Sequence, residues 1–167
     1  MLDNAVLLLF PFSILWAGVT DLLTFTIPNR ISLLLSALFI IAALLIGLPW
    51  PTLLSHIGAG LLTLLLAFVM FARGWFGGGD AKLLSAAALW LGFENLTKFI
   101  ILAALLGGAL ALMILTYRRL FPPLWLIRLP WAMRLHNPTQ GIPYGVALAG
   151  AGLIVYPQTI WMTGIAS

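Results

Sequence analysis

Six apolar runs follow one another along the chain, and short polar or proline-containing stretches separate them. The runs cover residues 5–20, 31–48, 53–72, 81–93, 97–116 and 142–165. About 20 apolar residues in a helix are enough to cross the hydrocarbon core of a bilayer. The pattern therefore predicts an all-α fold, a polytopic membrane helix bundle with about six transmembrane helices.

The fourth run is the shortest. A helix over residues 81–93 would rise about 20 Å, whereas the hydrocarbon core is about 30 Å thick. Such a helix would thin the bilayer locally or form a re-entrant piece held by its neighbours. Its central residues 85–88 (Ser-Ala-Ala-Ala) are small and allow other helices to approach closely. We expect this short fourth helix to be buried inside the bundle.

Composition limits the possible classes of protein, because 63% of the residues are hydrophobic and only 7% are charged. Soluble domains carry about 25% charged residues, so a soluble globular protein and a nucleic-acid-binding tail are both excluded. The short loops leave no room for a soluble domain, and we expect a single transmembrane domain over residues 1–167. The acidic start at Asp3 lacks the positive charge of a signal peptide, so we interpret the first run as a retained span.

The chain contains no cysteine. This excludes a disulfide framework, a thiolate metal site and a cysteine nucleophile. His56 and His136 stand alone, without the spacing of metal ligands. We therefore expect neither a metal nor a cofactor.

Positive charge predicts the orientation, because cytoplasmic loops are enriched in Lys and Arg. With six spans and an outer N-terminus, every basic residue except Lys98 falls in an inner loop. The long segment 117–141 is then expected at the membrane interface, where its arginines contact anionic lipids. In this orientation, Asp21 and Asp80 both lie on the cytoplasmic side.

Acidic residues are rare: the chain has four, and two of them are Asp21 and Asp80. An ionisable group at membrane depth is costly and is a functional candidate by default. Two neighbouring carboxyl groups share one proton and titrate as a unit. The ionised member can then activate water, while the protonated member polarises a peptide carbonyl and later protonates the leaving amine. This pair therefore favours aspartic-protease chemistry, which needs no metal.

The residues around the two acids also have structural interpretations. Asp80 could be the N-cap of the fourth helix, and Asp21 could be a solvated residue at a helix end. Gly77 and Gly79 are expected to take positive φ and to let an extended substrate approach. Pro28 disfavours helix at the preceding residue, and the following asparagine is well placed to cap the next helix.

Three blocks of sequence carry a family resemblance. They are Asp21 with Ile27-Pro28-Asn29, then Gly77-Gly78-Gly79-Asp80-Ala81-Lys82, and finally Pro143-Tyr144-Gly145. Together they resemble the type IV prepilin peptidases, intramembrane aspartyl proteases of the GxGD class. The third block is similar to a segment of their short TadV/CpaA-like members in Flp pilus systems. The resemblance runs from residue 17 to about residue 152.

The resemblance implies that Asp21 and Asp80 are the catalytic aspartates and that Gly77 and Gly79 are the glycines of the GxGD motif. It implies cleavage of a prepilin leader at the cytoplasmic face of a bacterial or archaeal membrane. Larger members also methylate the new N-terminus, and many carry a four-cysteine zinc loop. This chain has no cysteine, so methylation is not expected.

Other residues of the three blocks have two interpretations each. Lys82 either binds substrate or influences Asp80, or it extends to the membrane interface. Residues 27–29 (Ile-Pro-Asn) either contact substrate or form the turn into a helix. Residues 143–145 (Pro-Tyr-Gly) either line the substrate cleft or begin a helix with an interfacial tyrosine.

Different functions remain open at this stage. The substrate could be another pilin-like precursor, such as a pseudopilin, a minor pilin or an archaeal preflagellin. A presenilin-like protease is less favoured, because Thr20 stands where those proteins have a tyrosine. A proton-coupled transporter or assembly factor would use the same two acids as a relay. The expected partners are a precursor peptide and membrane lipids, without nucleic acid.

Overall fold

The computed structural model describes residues 2–122, 126 and 128–163. These residues form helices and contain no strand, which confirms the prediction of an all-α membrane bundle. The helices are α1 (Leu2–Thr24), α2 (Asn29–Leu45), α3 (Trp50–Ala72), α4 (Gly78–Tyr117), α5 (Pro130–His136), α6 (Tyr144–Val155) and α7 (Ile160–Thr163). Among the described residues, three helices are long and apolar enough to cross a membrane: α1, α3 and α4.

Prolines define the starts of α2 and α3, where Pro28 and Pro49 occupy the N-cap positions. Ile27 is non-helical, as the following proline predicts. The prediction that Asn29 caps α2 is wrong, because Asn29 is the first helical residue and makes no cap hydrogen bond. Its side-chain oxygen instead accepts a hydrogen bond of 2.8 Å from Lys82 Nζ.

The fourth and fifth apolar runs are joined in α4, a helix of 40 residues. No loop separates them, since the backbone breaks only at Gly92, with φ 65° and ψ 174°. This conformation is essentially restricted to glycine, so one residue is sufficient to change the helix direction. His56 supports the break, because its Nδ1 donates a hydrogen bond of 2.6 Å to Leu89 O.

Helix α4 lies at the centre of the bundle and packs against α2, α3 and α6, while α1 packs against α2 and α6. The four small residues 85–88 are all buried, which confirms the expectation for the short fourth run. Glycines allow α1 and α6 to approach closely: a Cβ on Gly18 would lie 2.7 Å from Ala149 Cβ. This contact holds the N-terminal half of α6 against the end of α1.

The sixth apolar run is less regular than its hydropathy implies. Helix α6 ends at Val155, and a 3₁₀ turn (Tyr156–Gln158) containing Pro157 precedes α7. Proline lacks the N–H that would continue an α-helix. Trp161 in α7 is fully buried, and its Nε1 donates a hydrogen bond of 2.7 Å to Trp90 O in α4. The end of the described chain is therefore anchored to the bundle centre.

The break in α4 leads to a stability prediction. Gly92→Ala should lower the free energy of unfolding by about 1–3 kcal/mol, because alanine is strained at this φ and ψ. The new Cβ would also lie 2.9 Å from the His56 ring. Thermal unfolding of the purified protein in detergent measures the effect.

Gly108→Ala is the matched control for this substitution. Gly108 lies in the same helix, and a Cβ there meets nothing within 4 Å. Alanine at a helical position should be neutral or stabilising, by up to about 1 kcal/mol. Equal unfolding temperatures for the two variants would show that the break does not depend on glycine.

Candidate active site

Three helix ends meet at one end of the bundle. They are the C-terminal end of α1 with Asp21, the first turn of α4 with Asp80, and the first turn of α6 with Gly145. Asp21 and Asp80 line the same cavity of about 300 Å³, together with residues 77–79. A second cavity of about 650 Å³ is also lined by both aspartates and by Tyr144. The fold thus brings together two acids that are far apart in sequence.

Asp21 lies inside α1 and is only 4% exposed. Its Oδ2 accepts a hydrogen bond of 2.7 Å from the backbone N–H of Gly145. Gly145 is in the first turn of α6, where backbone N–H groups have no partner within the helix and favour a carboxylate. The alternative that Asp21 is a solvated residue at a helix end is therefore wrong.

Gly145 has no space for a side chain. A Cβ at this position would lie 2.8 Å from Asp21 Oδ2 and 2.8 Å from Ile27 Cδ1. Sequence analysis expected this segment to line the cleft or to begin a helix, but it did not identify the hydrogen bond to Asp21. The only sequence signal for this donor is the helix start after Pro143, which occupies the N-cap position of α6.

Asp80 is the third residue of α4 and is half-buried. The N-cap of α4 is Gly77, and no side-chain cap hydrogen bond is present, so the N-cap interpretation of Asp80 is wrong. Asp80 lines both of the cavities that Asp21 also lines. Asp80 therefore contributes to the shared cavity and does not cap α4.

The glycines before Asp80 provide space. The predicted positive φ is wrong, since Gly77 has φ −70° and Gly79 is not among the described glycines with positive φ. A Cβ on Gly77 would lie 2.7 Å from Asp80 Oδ2, and one on Gly79 would lie 3.1 Å from Ile27 Cβ. A Cβ on Gly78 would lie 3.1 Å from Phe71 Cε2. Small size therefore lets the first turn of α4 approach its neighbours.

Some residues of the second block and of the turn before α2 line the aspartate cavities, and others lie outside them. Ile27 is buried and lines the smaller aspartate cavity. Pro28 and Asn29 are exposed, and Lys82, also exposed, is hydrogen-bonded to Asn29. Neither Asn29 nor Lys82 is among the residues that line the two aspartate cavities. Lys82 thus lies on a different face of α4 from Asp80.

Tyr144 lines the larger aspartate cavity. Its ring meets that of Phe76 edge-on, with centroids 6.0 Å apart. Gly107 in α4 leaves the space that the ring occupies, since a Cβ there would overlap Tyr144. Tyr144 is also the first residue of α6, so the structure contains both the cavity wall and the helix start that were the two interpretations of the third sequence block.

Arg118, at the C-terminal end of α4, holds the segment that leads to α6. Its Nε donates a hydrogen bond of 2.8 Å to Leu135 O, and its Nη2 donates to Gln140 O at 2.9 Å and Gly141 O at 3.2 Å. Gly141 lines the larger aspartate cavity. Sequence analysis assigned the arginines of this segment to topology and lipids, and it missed this role.

We expect Arg118→Gln to loosen the segment before α6, because the three hydrogen bonds of the guanidinium are lost. Amide hydrogen exchange over residues 137–145 should accelerate about tenfold. Arg119→Gln is the control, since no hydrogen bond of the Arg119 side chain to a described residue is present. Equal exchange in the two variants would contradict the anchoring role of Arg118.

Metal binding finds no support in the described residues, which contain no group of three or more His, Cys, Asp or Glu that could hold an ion. His136 packs edge-on against Tyr117, with ring centroids 5.2 Å apart. His56 is at the break in α4 and lies outside both aspartate cavities. The candidate site therefore consists of two carboxyl groups, backbone groups and one tyrosine.

Comparison with known proteins identifies the family of the chain. The sequence model of the type IV leader peptidase family matches residues 8–112, more than half of the chain. The match includes both aspartates and the glycines before Asp80. No curated protein and no solved structure matches the chain. The matched region is sufficient to conclude that this membrane protein belongs to the type IV leader peptidase family.

Proposed function

We propose that the protein is an intramembrane aspartyl endopeptidase of the GxGD type, which removes the leader peptide from type IV prepilins. Asp21 and Asp80 form the catalytic pair. The observation that carries this proposal is that Asp21 and Asp80 together line the cavity of about 300 Å³, in a chain of the leader peptidase family. No other acidic residue is among those that line this cavity.

The proposed mechanism uses the pair as one acid and one base. The ionised carboxylate removes a proton from a water molecule, which attacks the scissile carbonyl carbon. The protonated carboxyl group donates its proton to the carbonyl oxygen, which gives a gem-diol intermediate. The carboxyl group that took the proton from water then gives it to the leaving amine as the C–N bond breaks, and the other carboxylate recovers a proton from the gem-diol as the new carboxyl group forms. The N–H of Gly145 orients Asp21 during these steps, since it holds one oxygen of that carboxyl group.

Access of the substrate requires an exposed backbone, because a membrane helix hides the peptide bond that is cut. Non-helical backbone at membrane depth is tolerated where it lines a water-filled cavity. Non-helical backbone does line the larger aspartate cavity, because Gly74, Gly77 and Gly141 lie outside the helices and contribute to its wall. We infer that an extended segment of the precursor binds there, beside Tyr144.

The proposed location of the reaction is the cytoplasmic face. Arg118 and Arg134 belong to the segment that the charge bias places inside. Arg134 Nη1 donates a hydrogen bond of 3.4 Å to Leu23 O, two residues beyond Asp21. A Flp-type prepilin is the proposed substrate, because the third sequence block resembles the short Flp-system members.

Co-expression with a Flp-type prepilin, in cells that lack any other prepilin peptidase, tests the proposed function. Mass spectrometry should show the precursor shortened at the leader junction. A pseudopilin and a preflagellin, expressed in the same way, should be processed more slowly. Unprocessed prepilin beside correctly inserted protein would refute the proposed activity, whereas faster processing of another precursor would refute only the Flp-type substrate.

A further inference from the structure

A groove lies between α2, α3 and the first part of α4. Its main cavity measures about 380 Å³, and its lining includes Asn29, Ser32, Leu33, Leu64 and Lys82. A neighbouring cavity of about 250 Å³ shares Leu64 and Lys82 with it. Neither cavity is lined by Asp21 or Asp80. We refer to these two cavities together as the lateral groove.

The lateral groove contains a cation without an acidic partner. Lys82 Nζ donates a hydrogen bond of 2.8 Å to the neutral Asn29 Oδ1. No aspartate or glutamate is among the residues that line either cavity. A negatively charged ligand would stabilise this cation. A hydrogen bond from Lys82 to such a ligand would be charge-assisted on both sides, and such a bond is stronger than a hydrogen bond between neutral groups.

A second polar group in the groove lacks a partner. Ser32 is only 6% exposed, and its Oγ has no hydrogen-bond partner among the described residues. The two other serines that line the groove are satisfied: Ser36 Oγ donates to Ser32 O at 3.0 Å, and Ser85 Oγ donates to Gly60 O at 2.9 Å. Leaving a buried hydroxyl unpaired is unfavourable, so a ligand oxygen would fit here.

The wall of the groove is apolar and open. Leu33 is 68% exposed and Leu64 is 40% exposed, and Phe68 and Phe71 continue the same surface. In a membrane protein, exposed side chains of this kind meet acyl chains. The groove therefore combines a cation and a free hydroxyl with an apolar wall, which is the chemistry that an anionic amphiphile requires.

We propose that the lateral groove binds the phosphate group of an anionic phospholipid. Lys82 Nζ and Ser32 Oγ donate hydrogen bonds to phosphate oxygens, and the acyl chains lie along Leu33 and Leu64. The lipid is favoured over a peptide because the groove opens on an apolar surface and neither aspartate is among its lining residues. This binding is independent of peptide cleavage.

Native mass spectrometry with added phosphatidylglycerol tests the proposal. We expect K82Q to weaken binding about tenfold and S32A about threefold to fivefold. K98Q is the matched control and should bind like the wild type, because Lys98 Nζ also donates to a neutral side-chain oxygen, Gln158 Oε1, at 2.8 Å but lies outside the groove. S32A should fold normally, since it removes an unpaired buried hydroxyl.

Two competitors distinguish the sources of the same chemistry. Bound phosphatidylglycerol should remain in the presence of excess inorganic phosphate, which lacks the acyl chains. Displacement by phosphate alone, or by a prepilin, would overturn the proposal. Equal weakening in K82Q and K98Q, or unchanged binding in S32A, would also overturn it.

Discussion

Asp80→Asn should lower the rate of prepilin cleavage by at least about a thousandfold, because the pair loses a group that can exchange a proton. The same loss is expected for Asp21→Asn. Asparagine has nearly the same size as aspartate and keeps a side-chain oxygen that can accept the hydrogen bond from Gly145 N–H. Both variants should therefore fold and insert, so that the loss of activity reports on chemistry. Cleavage by purified protein in detergent, followed over time, measures the rates.

Glu94→Gln is the matched control for these substitutions. Glu94 is also an acid in α4, but it lines a separate cavity beside His56 and the break at Gly92. Its loss of charge should leave the rate of cleavage within about twofold of the wild type. Cleavage by Asp80→Asn at a rate close to that of Glu94→Gln would contradict the assignment of the catalytic pair.

Gly145→Ala should lower the rate of cleavage by about a hundredfold, because a displacement of about 1 Å at a catalytic group has effects of this size. The new Cβ would lie 3.0 Å from Asp21 Cβ, and its distance to Asp21 Oδ2 would be 2.8 Å. Asp21 is buried, so either its carboxyl group or the start of α6 has to move. The hydrogen bond that orients Asp21 is then lost or lengthened.

Gly108→Ala provides the comparison. Gly108 lies in α4 and is not among the residues that line either aspartate cavity, and a Cβ there meets nothing within 4 Å. Its rate should stay close to that of the wild type. Circular dichroism and gel filtration show whether both variants fold, and equal rates would show that contact with the Asp21 carboxyl group is unimportant.

Sequence analysis predicted the helices well, because burial of apolar runs in a membrane requires helices whose backbone groups are paired internally. It could not predict that the runs over 81–93 and 97–116 form one helix. The break is made by Gly92 and supported by His56, a residue far away in sequence. A polar stretch such as Glu94-Asn95 looks like a loop in sequence but is helical here.

Only part of the candidate site could be predicted from the sequence. The scarcity of acids indicated Asp21 and Asp80, since each charge at membrane depth has a cost. The hydrogen bond from Gly145 could not be predicted, because a backbone N–H is common to nearly every residue and only the docking of α6 onto α1 gives it a partner. Arg118 was missed for a similar reason, as its acceptors are backbone carbonyl groups.

The roles of the glycines illustrate the same limit. The sequence indicated that Gly77 and Gly79 are special, but it could not distinguish backbone conformation from available space. The structure favours the requirement for space, because a side chain on Gly77 would meet the Asp80 carboxyl group and one on Gly79 would meet Ile27. Which atoms surround a residue depends on tertiary packing, and only the fold defines it.

The central claim is that Asp21 and Asp80 act as one catalytic unit. Its most direct test is the rate of prepilin cleavage by the two single Asp→Asn variants and by the double variant, each measured with purified protein. When residues act as a unit, their effects are strongly non-additive. We predict that each single variant is as inactive as the double variant. Substantial cleavage by either single variant, or a double variant whose loss is the product of two partial losses, would contradict the claim.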